Sequence, residues 1–155
     1  MNSSLIVRPI SAEDAKAVTV LSAQLGYEVP VEAIYERIAR LSSCTERQVA
    51  FVACFGPDSG EDFRAEIVGW IEASIVHELQ SPRCVSISGL VVSETHRSLG
   101  IGKRLCAEVE AWSRKQGVTT IRVASRISRE GAHRFYLREG FERIKTWAVF
   151  EKMLT

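Results

Sequence analysis

Arg97-Ser98-Leu99-Gly100-Ile101-Gly102 joins an apolar run to a helical one through a turn that holds an arginine and two glycines. Residues 85–92 alternate and end apolar, as a strand does, and Ile101, Leu105, Val109 and Trp112 then share one helical stripe. The start of a helix offers amides that have no partner in the ladder, together with the positive end of the helix dipole, so an anion fits there. Glycine at 100 and 102 admits close approach of the main chain to a ligand, and Arg97 adds a charge-assisted contact. The spacing predicts a seat for a pyrophosphate. A tight strand-to-helix turn that binds nothing would carry the same glycines.

Two other phosphate motifs do not match. Gly102-Lys103-Arg104 lacks the four spaced residues and the hydroxyl of a P-loop, which leaves magnesium-nucleotide chemistry unsupported. Gly100-Ile101-Gly102 is followed by Leu105 where a dinucleotide fingerprint has its third glycine.

The Arg-x-x-Gly-x-Gly spacing at such a turn resembles the acetyl-CoA loop of the GNAT family of N-acetyltransferases. Ala132-His133-Arg134-Phe135-Tyr136-Leu137-Arg138-Glu139-Gly140-Phe141 is similar to that family's second signature, Ala-x-x-Phe-Tyr-x-x-x-Gly-Phe. Both stand in the family's order, and the likeness is clearest over residues 85–141. It implies the GNAT acyl-CoA N-acyltransferase fold, an α/β chain with a central, splayed, mostly antiparallel sheet and about four helices. It also implies that main-chain groups of Ser98, Leu99, Gly100, Ile101, Gly102 and Lys103, with Arg97, hold the pyrophosphate of acetyl-CoA. Leu90 and Val92 would lend backbone groups to the pantetheine arm, and the strand-end amide near Val91 would polarise the thioester carbonyl. Tyr136 matches a tyrosine placed to protonate the departing thiolate, and a phenol of pKa ~10 suits that task. A core tyrosine with a partnered hydroxyl is the plainer reading of Tyr136, and Phe135 is expected in the core.

The elements that must position these residues follow from pattern. Residues 5–8 read as a strand ended by Pro9, and Ser11 with Asp14 as the start of a helix whose apolar face is Val18, Leu21 and Leu25. Gly26 ends it, and Pro30 opens a second helix with Ile34, Ile38 and Leu41 on one stripe. Residues 48–55 and 67–77 are strands joined by the acidic, turn-rich loop 56–62, with Gly69 as a bulge candidate. A loop containing Pro82 leads into the strand 85–92. Gly117 ends the central helix; a strand over 119–125, a short helix over 130–138 stopped by Gly140, and strands over 141–145 and 147–153 complete a mixed sheet with helices on both faces. By the resemblance, the sheet opens between the strands ending near Val92 and Ser125.

At 155 residues the chain reads as a single domain, large enough to bury about two-thirds of its unfolded surface. A net charge of +1 gives no electrostatic case for nucleic acid or a membrane surface, and no apolar run approaches the ~20 residues that span a bilayer. The first residues lack the features of a secretory signal, so the chain reads as cytosolic. Cys44, Cys54, Cys84 and Cys106 have no Cys-x-x-Cys spacing and read as small buried apolar side chains, with no metal site implied.

The attacking amine, of pKa near ~10, must lose a proton. Many members of the family carry an acid just ahead of the strand end, but Ser88-Gly89 stands there in this chain. Glu72 on the neighbouring strand is the candidate base, acting through water, with His77 and Glu94 behind it; an outward residue on a half-exposed strand is the alternative for Glu72. Arg134 and Arg138, one helical turn apart, would reach an adenosine 3′-phosphate or be solvated, and His133 is expected on the helix surface.

The second signature is most like that of the aminoalkylphosphonate N-acetyltransferase branch, which shares an arginine at Arg129. The expected activity is transfer of acetyl from acetyl-CoA to the amine of a small molecule. A protein or peptide acceptor and a non-catalytic acyl-CoA-binding module are the alternatives. Residues 25–41 and 145–147 would shape the acceptor cleft, where Tyr27 and Trp147 favour a small one. The resemblance implies a homodimer through terminal strands.

Overall fold

The computed structural model describes residues 4–56 and 65–155. The predicted acidic loop 56–62 falls outside this range except for Gly56. Contacts divide the chain into two compact units, Met1–Val123 and Ala124–Thr155.

The first unit carries β1 (Ser4–Pro9), α1 (Ala15–Ala23), α2 (Val31–Ser42), β2 (Gln48–Gly56), β3 (Glu66–Glu78), β4 (Ser81–Val92), α3 (Ile101–Lys115) and β5 (Ile121–Val123). The strands form one sheet in the order β1-β2-β3-β4-β5. The first four pair antiparallel, and β5 pairs parallel to β4.

Alternation along β3 sorts the helices onto two faces. Trp70 packs with Ala15, Val18, Ile34, Ile38 and Val52, so α1 and α2 cover its face. The neighbouring Gly69 lies against Leu105 and Ile101 of α3, on the other face. A Cβ at Gly69 would stand 2.9 Å from the Val91 carbonyl oxygen and 3.3 Å from Ile101 Cγ2, so glycine here lets the start of α3 settle directly on the sheet.

The predicted helix faces are the buried ones: Val18 and Leu21 in α1, Ile34 and Ile38 in α2, and Ile101, Leu105 and Val109 in α3. Before α1 the chain makes a 3-10 turn, Ala12–Asp14, tied by the Ser11 amide donating to Asp14 Oδ2 at 2.8 Å. Gly26 and Gly117 have positive φ at the ends of α1 and α3, where a left-handed residue closes the helix.

The structure corrects the reading around Pro82. No loop precedes the strand; β3 and β4 join through a turn at Leu79 and Gln80, and Pro82 lies inside β4. The register slips between Val76 and Glu78 beside it, and such an irregularity tolerates a residue without an amide proton. The predicted strand 119–125 shortens to three residues, Ile121–Val123. Cys54, Cys84 and Cys106 are buried as expected, but Cys44 is exposed after α2.

The second unit holds α4 (Glu130–Arg138), closed by Gly140 at φ +91°. Its residues are half-buried or exposed, Phe135 included, so the expected core position of Phe135 is not realised. Phe135 stands edge-on to Tyr136 at 5.3 Å, and Tyr136 edge-on to Phe141 at 5.4 Å. The two strands predicted over 141–145 and 147–153 do not form. The segment makes short-range contacts instead, with Arg143 donating to Thr146 at 2.8 Å and Lys145 Nζ 3.9 Å from the Trp147 ring centre. A β-rich sequence becomes a strand only when a neighbour takes its ladder bonds, and the side-chain pattern cannot supply that neighbour.

Candidate active site

The turn from β4 into α3 has the geometry of an anion seat. Ser98 has φ +65° and Gly100 φ +78°, two left-handed residues within three positions. Left-handed residues among extended and helical ones turn successive amides toward one side, as anion-binding nests do. The first bond of α3 in the ladder runs from the Arg104 amide to the Gly100 carbonyl at 3.1 Å, which leaves the amides of Ile101, Gly102 and Lys103 ahead of it. A Cβ built on Gly100 meets nothing within 4 Å, so the ground in front of the turn is open. Arg97, Ser98 and Leu99 are exposed along it.

Upstream of the turn, β4 has an edge with no strand partner among the described residues. Its parallel pairing with β5 runs from Val85↔Ile121 to Ile87↔Val123 and ends there, while β4 continues to Val92. β5 itself stops at Val123, so β4 runs on past its end. The parting coincides with a bulge: Glu72 of β3 pairs with Gly89 and Ala73 with Ile87, so Ser88 is the extra residue. A bulge shifts the phase of the strand. Ser93 donates its amide to the Val68 carbonyl at 2.7 Å, so by alternation Val91 also turns its main-chain groups to β3, and Leu90 and Val92 turn theirs to the free edge. No residue type in 85–92 announces this phase, apart from a glycine beside the bulge.

On the α1–α2 face, Glu72 is half-buried in the middle of β3. Burial pushes its carboxyl above the ordinary range, while the nearby Ser88 hydroxyl and the charge of Arg37 on α2 pull the other way. Trp70, two residues before it, lays its ring over Gly89: a Cβ there would fall 2.5 Å from ring carbons. The Trp70 indole Nε1 is buried without a hydrogen-bond partner among the described residues. The weaker candidates fare differently. His77 is exposed near the far end of β3, and exposed Glu94 has its amide bound to Gln24 Oε1 at 3.1 Å.

Glu72, Ser88, Arg37 and Trp70 thus gather on one face of the first unit, next to the free edge of β4. Of these, sequence reasoning selected Glu72 and saw Ser88 only as a missing acid. Arg37 and Trp70 went unremarked because they belong to stretches that also carry core stripes.

In the second unit, Tyr136 sits on α4 between Phe135 and Phe141. Its neighbour His133 is half-buried, with Nε2 2.9 Å from the Arg126 carbonyl oxygen, rather than solvated on the helix surface. Arg138 is largely exposed, with Nε 3.8 Å from Glu139.

An open depression of about 440 Å³, lined by Arg8, Glu13, Asp14, Lys16 and neighbours, contains none of the catalytic or cofactor-binding candidates.

A mixed sheet whose fourth strand runs on past the fifth into an amide-lined turn and helix defines the α/β architecture of the chain. Comparison with known proteins agrees: the profile of the Acetyltransferase (GNAT) family matches residues 19–141, and the chain belongs to that family. Among curated proteins, the aminoalkylphosphonate N-acetyltransferase of Salmonella typhimurium is 36% identical over 78 residues, which span 50% of this chain and 51% of that protein. The alignment thus covers about half the length of this relative. Among solved structures, aminoglycoside N-acetyltransferase AAC(6')-Iy in complex with CoA superposes with a TM-score of 0.81 at 19% identity, covering 99% of this chain and 98% of the other. The aminoglycoside 6'-N-acetyltransferase AAC(6')-Ih from Acinetobacter baumannii gives 0.80 at 18% identity, covering 98% and 100%. At these identities the likeness is one of fold.

Proposed function

We propose that this chain is an acetyl-CoA-dependent N-acetyltransferase that acts on the primary amine of a small molecule by direct attack in a ternary complex. The observation that carries the reading is the turn at residues 97–102, where left-handed Ser98 and Gly100 and the open start of α3 fit a diphosphate. Membership of the acetyltransferase family supports the donor, as does the CoA bound to a protein of the same fold. The family match runs across both units, which supports treating residues 1–155 as a single catalytic domain.

The residues divide the work as follows. Arg97 and the amides of Ser98, Leu99, Gly100, Ile101, Gly102 and Lys103 hold the diphosphate. The free main-chain groups of Leu90 and Val92 hold the amide-bearing arm as an added strand would, and a donor at this edge beside Val91 polarises the thioester carbonyl. Glu72, directly or through one water, accepts the proton of the attacking nitrogen as the C–N bond forms. Tyr136 gives its phenolic proton to sulfur as the C–S bond breaks. A carboxylate raised by burial is a better base than an ordinary one, which suits Glu72 to this task. No covalent enzyme intermediate is required.

For the acceptor, the curated relative points to an amine that also bears an anionic group. The thiols buried at Cys54 and Cys84, which form no disulfide, suit a reducing compartment, so we place the enzyme in the cytoplasm. Val149 and Phe150, each 92% exposed, are apolar side chains that a second copy of the chain would cover, and we read the working form as a homodimer. Sedimentation should show a dimer that Phe150→Lys converts to monomer; a wild-type monomer at working concentration removes this part of the reading.

The catalytic reading is tested by thiol release from acetyl-CoA across a panel of small amines, with a peptide panel beside it. Turnover with a small amine and a loss of ten- to a hundredfold in Tyr136→Phe are expected, with CoA affinity unchanged. Binding of CoA with no turnover on any amine would instead indicate an acyl-CoA-sensing module.

A further inference from the structure

The missing acid of β4 has a structural answer in Ser88. Bulged out of register opposite Glu72, Ser88 is exposed, and its Oγ lies 3.4 Å from the Glu72 main-chain oxygen. That contact is long for an O–H···O hydrogen bond, and the nearby carboxylate is the stronger, charged acceptor. We propose that Ser88 is the positioning residue for the Glu72 carboxylate: the β4 bulge carries its hydroxyl to the neighbouring strand, where it donates to Glu72 and holds it in place as the proton acceptor.

The arrangement splits between two strands what a single acidic side chain on β4 would do alone. The carboxylate stands on β3, and its holder stands at the point where β4 leaves β5, beside the free edge that receives the thioester. Only a bulge achieves this. In an unbroken ladder the residue before Gly89 would pair with Ala73, whereas here Ala73 pairs with Ile87 and Ser88 shares Glu72 with Gly89. Gly89 is part of the device, because a side chain there would strike the Trp70 ring.

The other groups around the carboxylate are few. Its register partners Ala50 on β2 and Gly89 on β4 carry no charge, and Arg37 on α2 acts on it as a charge. The two influences are separable. Salt screens Arg37, while a hydrogen bond from Ser88 persists.

This inference rests on the assignment of Glu72 as base, and the experiment keeps the two apart. The Glu72 side-chain carboxyl is titrated by carbon-detected NMR in the free protein, and the pH profile of kcat/KM is measured, for wild type, Ser88→Ala and Ser88→Thr. In Ser88→Ala the titration midpoint should move upward at high and low salt alike, the acid limb of the rate profile should move with it, and kcat/KM at its plateau should fall by about tenfold. Ser88→Thr, which keeps the hydroxyl, should restore both. Ser88 is exposed, so neither variant threatens the fold. A Glu72 midpoint that stays fixed in Ser88→Ala overturns the proposal. A midpoint that moves while the rate profile does not leaves Ser88 as the holder of Glu72 and removes Glu72 as the base.

Discussion

Glu72 illustrates how one side chain reports both a location and a task. Its carboxyl is raised because burial penalises the charged form, and Ser88 and Arg37 offset only part of that penalty. The consequence for stability has a definite sign. A carboxyl whose folded pKa exceeds its unfolded value contributes fully below the unfolded value, near 4.3, and that contribution is lost as pH rises through the folded one. Once pH has passed the folded value, the charged Glu72 therefore weighs against the fold. Glu72→Gln should be as stable as wild type or more so at pH 8 in urea titrations, with any advantage gone at pH 4, while kcat falls by 10²–10⁴-fold. A variant that loses stability at pH 8 would show Glu72 to be a structural residue.

The elements that matter are β4 and the start of α3, and each works through a departure from regularity. Strand β4 bulges at Ser88, loses β5 after Ile87, and so exposes the main chain of Leu90 and Val92. Helix α3 begins at a left-handed glycine, with its open first turn pressed onto Gly69 of β3. Gly100 is required by conformation rather than by crowding, since φ is +78° and no neighbour stands within 4 Å of a Cβ. A β-branched residue resists that φ and would stand in the open ground before the amides. Gly100→Val should therefore abolish the thermal protection that CoA gives the wild type and lower the Tm of the free protein by a few degrees, corresponding to roughly 1–2 kcal/mol. Protection that survives in this variant would put the diphosphate elsewhere.

Across the molecule, one buried ion pair joins the first strand to the first helical turn. Asp14 is 4% exposed, and both its oxygens lie 2.8 Å from the Arg8 guanidinium. Burial would raise its carboxyl, but Arg8 and the Ser11 amide outweigh burial and hold it below the ordinary range. A depressed carboxyl contributes stability above its unfolded value, near 3.9, and loses it as pH falls through the folded value. Asp14→Asn should cost about 2–3 kcal/mol at pH 7, and the deficit should narrow below pH 3.9. An equal deficit at pH 7 and pH 2.5 would mean that packing, not charge, is what Asn disturbs. In the second unit, 124–155, α4 holds no fully buried residue.

Much of this was legible in the chain before any coordinates. Helices α1 to α3 follow from stripes spaced at 3.6 residues, and Gly26, Gly117 and Gly140 mark the ends of α1, α3 and α4; the turn proposed as an anion seat follows from Arg97, Gly100 and Gly102. These are local properties, set by dihedral preference and by which side of one element meets a core. Pairing is not local. Whether 147–153 becomes a strand depends on a neighbour that pattern does not name, and the segment pairs with no strand among the described residues. The bulge at Ser88 is of the same kind: both registers suit the same residues, and the choice follows from how β3, the α3 contact at Gly69 and the ring of Trp70 fit together. Sequence supplied the residues proposed to hold a diphosphate and move protons, while three-dimensional packing set the bulge that places Ser88 opposite Glu72.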